Sequence, residues 1–267
     1  VAAVLAVLAA DHPVGEAQAA DGSFSINQEA RHTMTPEAFT QKLKGCCGDN
    51  LIAVILYGSA AAGDYTGKRS DFNLLVVLDD LSLPHLKPLA SITTEWTRKG
   101  NPPPLLFTRE RLIQSVDVFP IELLDMQQSH KVLFGVNPLG EINVSTDNLR
   151  LQIERELRTA LIALRQNYLL TGGREKKVRE LMVNSLSTFL VLFRAALRLF
   201  DVEVPAHKMD AARQLAGQLS IDPAALETVF ALKQGQRASM EAEQLFADYL
   251  RTIVDVIDAV DSRVLSH

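Results

Sequence analysis

Two short clusters concentrate the residues able to handle a polyphosphate. Gly58-Ser59 and Ser70-Asp71-Phe72-Asn73 stand on either side of a loop that also holds Gly63, Gly67, Lys68 and Arg69. Phosphate oxygens need close backbone approach and N–H or O–H donors. Gly58 lets the chain come near, and the Ser59 hydroxyl with neighbouring backbone N–H groups can donate. Neutralising the phosphate charge calls for hard cations on oxygen ligands. Residues two apart on a strand face the same way, so Asp71 and Asn73 are expected to project together into the space in front of Gly58-Ser59. Asp71 brings a charge, whereas the Asn73 amide can ligate through its oxygen without adding one.

These clusters are usable only if rigid elements hold them. Leu51–Tyr57 (LIAVILY) is a continuous apolar run, too short for a typical helix and rich in β-branched residues, which predicts a strand buried on both faces. Residues 72–78 (FNLLVVL) form a second such run, closed by Asp79-Asp80. Ahead of them, Thr35-Pro36-Glu37 is an N-cap, a first-turn proline and an early acid, opening a helix that Gly45 or Gly48 closes. Downstream, 84–98 reads as helix despite Pro88, and Gly100-Asn101-Pro102-Pro103-Pro104 breaks it before a third strand at Leu105–Phe107. Thr108 caps a short helix to about Ser115. Residues 118–126 (VFPIELLDM) have strand character with Pro120 marking an edge or bulge, and 131–134 add a last short strand. Strands alternating with helices predict a mixed α/β domain.

After Pro138 the texture changes. Ser145-Thr146-Asp147 offers an N-cap, and Leu149, Ile153, Leu157, Leu161 and Leu164 recur at helical spacing until Gly172-Gly173. A second long helix spans 174–200, its middle over 186–199 apolar on most faces and so expected inside a bundle; further helices are expected over Lys208–Leu219, 223–234 and 239–265. The resulting organisation is a tail at 1–34, an α/β domain at 35–140 and a helical bundle at 141–267.

Over 56–78, LYGSAAAGDYTGKRSDFNLLVVL resembles the nucleotide-binding core of the DNA polymerase β-type nucleotidyltransferase superfamily, which carries Gly-Ser, a short loop, Asp-x-Asp and a third acid on a later strand. The α/β half looks like that superfamily, and the helical remainder is similar in layout to the kanamycin-type and minimal nucleotidyltransferases. The resemblance implies a nucleoside triphosphate with Mg2+ as cofactor and transfer of a nucleotidyl group to a hydroxyl acceptor. It makes Gly58, Ser59 and Ser70 the nucleotide-binding residues, Asp71 and Glu122 catalytic, and Asp71, Asn73 and Glu122 the metal ligands. Glu122 is the preferred third acid because its apolar flanks suit a carboxylate on a core strand; Asp125 is the second choice. On a strand, residues three apart face opposite ways, so only one of the two can serve. Asn73 stands where the pattern has its second aspartate. That departure supports a competing reading, a catalytically impaired nucleotide-binding regulatory or interaction module; a third reading pairs the bundle with a partner as in toxin-antitoxin systems.

The 267 residues carry a net charge of -5, which gives no reason to expect tight binding to a long nucleic acid. The acceptor is therefore expected to be a small molecule or a protein. Adjacent Cys46 and Cys47, the sole cysteines, give no disulfide framework and fit a reducing, cytoplasmic setting. Residues 1–10 (VAAVLAVLAA) look like a signal h-region followed by a small-residue site, but triphosphate chemistry points to the cytoplasm, and no membrane span is expected elsewhere. His12, His32, His85, His130, His207 and His267 are scattered without zinc spacing. Lys68, Arg69, Lys176, Lys177 and Arg179 read as solvated charge. Trp96 is expected to pack a helix, and Phe189, Phe193 and Phe200 to form core or a homodimer contact through the helical half.

Overall fold

The computed structural model describes residues 34–58, 60–61, 72–200, 202–205 and 207–262. Ser59, Lys68, Arg69, Ser70, Asp71, the apolar segment 1–10, His12, His32 and His267 lie outside them. The described chain divides into two compact units. One comprises the residues up to Val116 together with Glu122–Asn143; the other comprises Asp117–Ile121 and the residues from Val144 onward.

The first unit opens with helix α1 (Pro36–Cys47), whose N-cap Thr35 accepts a hydrogen bond from the Ala38 N–H and whose C-cap is Gly48. Strands β1 (Leu51–Tyr57) and β2 (Asn73–Leu78) follow, then helix α2 (Leu83–Thr97), strand β3 (Leu105–Phe107), the short helix α3 (Arg109–Gln114), helix α4 (Pro120–Gln128), whose first two residues Pro120 and Ile121 count with the second unit, and strand β4 (His130–Gly135). The sheet is mixed and runs β3-β2-β1-β4, with β1 antiparallel to both neighbours and β3 parallel to β2. The apolar runs are buried as expected. Val54, Leu56, Leu74, Val76 and Leu78 join Phe39 and Leu43 of α1 and Leu89 and Trp96 of α2 in one core. On the opposite face, Ala53, Ile55, Leu75 and Val77 are also fully buried.

Trp96 packs rather than stacks on a ligand. Its ring lies 4.7 Å from that of Phe39, and its indole N–H donates to the Pro102 carbonyl at 2.8 Å. The neighbouring Asn101 accepts from the Phe72 N–H at 3.2 Å through its side-chain oxygen. The Gly-Asn-Pro break therefore does more than end α2: it pins Phe72, the residue just before β2.

One expectation is overturned. Residues 118–126 do not form a strand; Pro120 opens helix α4, where its missing N–H is one of the groups a helix start leaves unpaired anyway. The Ile121 N–H, another such group, donates to the buried Gln152 side chain at 2.8 Å. An apolar run this short has no periodicity that separates a strand from a buried helix, and the proline favoured the wrong alternative.

The second unit is helical: α5 (Thr146–Thr171), α6 (Glu175–Leu197), α7 (Lys208–Leu219), α8 (Ala224–Lys233) and α9 (Ala242–Asp261). Ser145 caps α5 through its hydroxyl, and Gly172 ends it in the left-handed conformation. Helix α6 is central and packs against the other four. Phe189 and Phe193 lie inside this core, with Phe189 edge-on to Tyr249 at 6.0 Å. Among the described residues α6 is the one helix long and apolar enough to cross a membrane by length and composition, and half of its most apolar window is buried within the protein.

Candidate functional site

Strand pairing brings together part of the constellation that the sequence marks out. Tyr57 and Asn73 are Cα partners across the β1/β2 ladder, so Gly58 emerges beside Asn73 at the end of the sheet. Gly58 adopts φ +80, and a Cβ built there would lie 3.5 Å from the Asn73 side-chain nitrogen. The backbone conformation explains why a glycine stands here, while the Asn73 amide would be in ordinary contact with a side chain. Its N–H is already used, donating to the Ser129 carbonyl at 3.1 Å, and its carbonyl accepts from the Ala61 N–H at 3.0 Å. Gly58 thus supplies space and a turn, with its own N–H and carbonyl both already used.

Asn73 shares its sheet face with Tyr57, Ile55 and Leu75, opposite the face that α1 and α2 cover. Asp71 and Ser70 lie outside the described residues, as does Ser59. The parallel neighbour of β2 is β3, whose residues Leu105, Leu106 and Phe107 carry no carboxylate. The buried acids come instead from α4, where Glu122 is 2% and Asp125 7% exposed. This corrects the placement of Glu122 on a strand and, with it, the choice between the two. Three residues apart on a helix means the same side, so Glu122 and Asp125 project together rather than oppositely.

Tyr57, passed over in the sequence, links these groups. It pairs with Asn73 on one side and with His130 of β4 on the other. Burial, reinforced by the negative charge of Glu122, pushes its hydroxyl up to about 12. The phenol is therefore a neutral donor at physiological pH. Its position immediately before Gly58 was the signal available, but it acquires meaning only once the antiparallel pairing of β1 and β2 is drawn.

His130 is fixed in one tautomer by its surroundings. Asn137 uses its side-chain oxygen to accept from the Leu139 N–H, which turns its NH2 toward His130 Nε2 at 3.0 Å. Nε2 must then be the acceptor, and Nδ1–H donates to the Gln127 carbonyl at 3.1 Å. Gln127 in turn donates to the Leu139 and Ile142 carbonyls, both at 2.8 Å. This network locks the end of α4 to β4 and to the turn Pro138–Glu141. The Ser129 carbonyl that receives Gly58 lies within the same segment.

Tyr57 carries a pH prediction. Its hydroxyl value is raised from 10 to about 12, so folding favours the neutral form. That contribution is complete below pH 10 and is lost as pH climbs through about 12, amounting to about 2–3 kcal/mol. Denaturation midpoints followed from pH 9 to 12 should fall less steeply for Tyr57→Phe than for the wild type; equal slopes would contradict the assignment.

Comparisons with known proteins agree with this architecture. No family model matches the chain, and no curated protein matches it in sequence. Among solved structures, it is similar to spectinomycin adenyltransferase AAD(9) from Enterococcus faecialis, determined with ATP and spectinomycin. The TM-score is 0.52 at 14% identity, covering 85% of this chain and 100% of that one. At that identity the likeness is one of fold: an N-terminal α/β nucleotidyltransferase-like domain followed by helices.

Proposed function

We propose that the chain binds a nucleoside triphosphate with Mg2+ at the corner formed by Gly58 and Asn73 and transfers a nucleotidyl group to a hydroxyl acceptor. The observation that carries this reading is the register Tyr57–Asn73, which sets the Gly58 turn against the Asn73 amide in a fold shared with an ATP-using adenyltransferase. Triphosphate chemistry makes the cytoplasm the natural location.

The donor set suits magnesium in kind. Among the described residues no group of three or more His, Cys, Asp or Glu is gathered for a metal, so no complete cage stands ready. Magnesium does not require one, since it binds through one or two carboxylates and completes its shell with substrate phosphates and water. Asp71 and Glu122 would provide the carboxylates and Asn73 a neutral oxygen, with Ser59 and Ser70 donating to phosphate. When bound, the metal neutralises charge on the phosphates and on the leaving pyrophosphate. In the transfer, the acceptor oxygen bonds to the α-phosphorus, the α–β bridging bond breaks, pyrophosphate leaves, and the acceptor's proton passes to a carboxylate, for which Glu122 is the choice. The Tyr57 hydroxyl, held neutral, does not compete for that proton.

Asn73 favours a second reading. With one fewer charge at the metal, the protein binds nucleotide and acts as a regulatory or protein-interaction module without turnover. Both readings need the nucleotide corner, and Gly58→Ala tests it. An alanine at φ +80 strains the turn, so ATP affinity measured in magnesium should fall about tenfold or more while the fold loses only about 1–2 kcal/mol. Unchanged affinity in a folded Gly58→Ala would sink the proposal.

A further inference from the structure

We propose that Cys46 and Cys47 form a vicinal dithiol site that captures a trivalent thiophilic centre, an organic arsenical being the chemical class it fits. The two residues close the C-terminal end of α1. Consecutive helical positions diverge by about 100° around the axis, yet here the two Sγ atoms converge to 3.5 Å. Two sulfurs at ~2.3 Å from one tetrahedral centre stand about 3.8 Å apart, and a narrower angle brings them closer. The pair is therefore already spaced to share one atom. Both thiols are free and half-buried, so they are reachable while resting against the apolar core that contains Phe39 and Leu43.

The environment selects among ligands. Burial, the hydrogen bond that the Cys47 S–H donates to Cys46 and the charge of Cys46 push the Cys47 thiol up to about 12, so it stays protonated at neutral pH and reacts slowly with ordinary thiol reagents. Zinc needs thiolates and usually four ligands, and among the described residues no third metal-binding side chain joins the pair. A disulfide between neighbours requires sulfurs about 2.05 Å apart and a distorted peptide. A trivalent arsenical asks for neither charge nor further ligands. An R–As=O group condenses with two S–H groups: two As–S bonds form, both S–H bonds break, and the oxygen leaves with the two protons as water. No electrons are transferred and arsenic stays trivalent.

The site is independent of nucleotide binding, and its test uses the full chain with phenylarsine oxide under a phosphine reductant. Intact-mass spectrometry should show one phenylarsenic group added with loss of one water, retained against excess monothiol and removed by a dithiol. Cys46→Ser and Cys47→Ser should each lose the adduct to monothiol at least about tenfold faster than the wild type. Wild-type protein pre-alkylated at its cysteines should take up none, which guards against a variant that fails to fold. A wild-type adduct stripped by monothiol as readily as in the single variants would overturn the proposal. So would zinc binding by the pair tight enough to resist a chromophoric chelator.

Discussion

Asp71→Ala is expected to lower magnesium-dependent nucleotidyl transfer on the order of 100- to 1000-fold, measured as pyrophosphate release with a hydroxyl acceptor found by screening. Removing one charge-stabilising group from a reacting phosphoryl or acyl centre typically costs about 3–4 kcal/mol, and each 1.36 kcal/mol is tenfold in rate. On the proposed reading the loss should be at the large end, because Asn73 contributes no charge of its own and Asp71 and Glu122 would be the fixed carboxylates. Pyrophosphate release that survives Asp71→Ala would remove Asp71 from the chemistry. Release absent from the wild type with every acceptor, beside intact magnesium-dependent binding, would favour the regulatory reading that Asn73 supports.

Gly135→Ala is expected to destabilise the first unit by about 3–5 kcal/mol. Gly135 pairs with Ala53 across β1 and β4, next to the bulge where the register slips between Val54 and Ile55. Its φ is +76, and a Cβ there would stand 1.9 Å from the Ile52 carbonyl oxygen and 2.9 Å from its carbon. The obstacle is backbone of the central strand, so no side chain can swing aside. The left-handed conformation contributes about 1–2 kcal/mol and the clash with an immovable backbone about 2–3 more, a large part of a typical domain's 5–15. Gly100→Ala is the matched control, since its φ is +90 and a Cβ there meets nothing within 4 Å. Urea midpoints should fall markedly for Gly135→Ala and modestly for Gly100→Ala; similar shifts would mean that the β1/β4 contact is looser than drawn.

Much of the fold was legible because its signals are local. Thr35 and Gly48 bracket α1, the runs Leu51–Tyr57 and 72–78 are too short and too apolar for surface helices, and Ser145 and Gly172 mark the ends of α5. The third strand stands at Leu105–Phe107, where the proline run predicts it. What failed was the segment around Glu122. Its choice between strand and helix depends on burial against partners distant in sequence, such as the Gln152 side chain that receives the Ile121 N–H. That error carried a second one, because the parity argument that set Glu122 against Asp125 holds on a strand and not on a helix.

The site was legible as composition and less so as geometry. Gly58 and Asn73 could be named from their spacing, and their approach follows once β1 and β2 pair. Tyr57 could not be found that way, because its role rests on a neighbour in β2, another in β4 and the charge of Glu122. The use of the Gly58 N–H by Ser129 was equally invisible, since it joins the end of β1 to a residue 71 positions later in the chain.

Calorimetric titration of ATP and GTP into the wild type and Asn73→Asp, with and without magnesium, tests the proposed nucleotide site most directly. Restoring a carboxylate beside Gly58 adds a charged ligand, so binding should require magnesium in both proteins and tighten about tenfold in Asn73→Asp, a gain of about 1.4 kcal/mol. No binding by either protein, or binding indifferent to both magnesium and the substitution, would contradict a metal-assisted nucleotide site at this corner and leave the fold as a scaffold for something else.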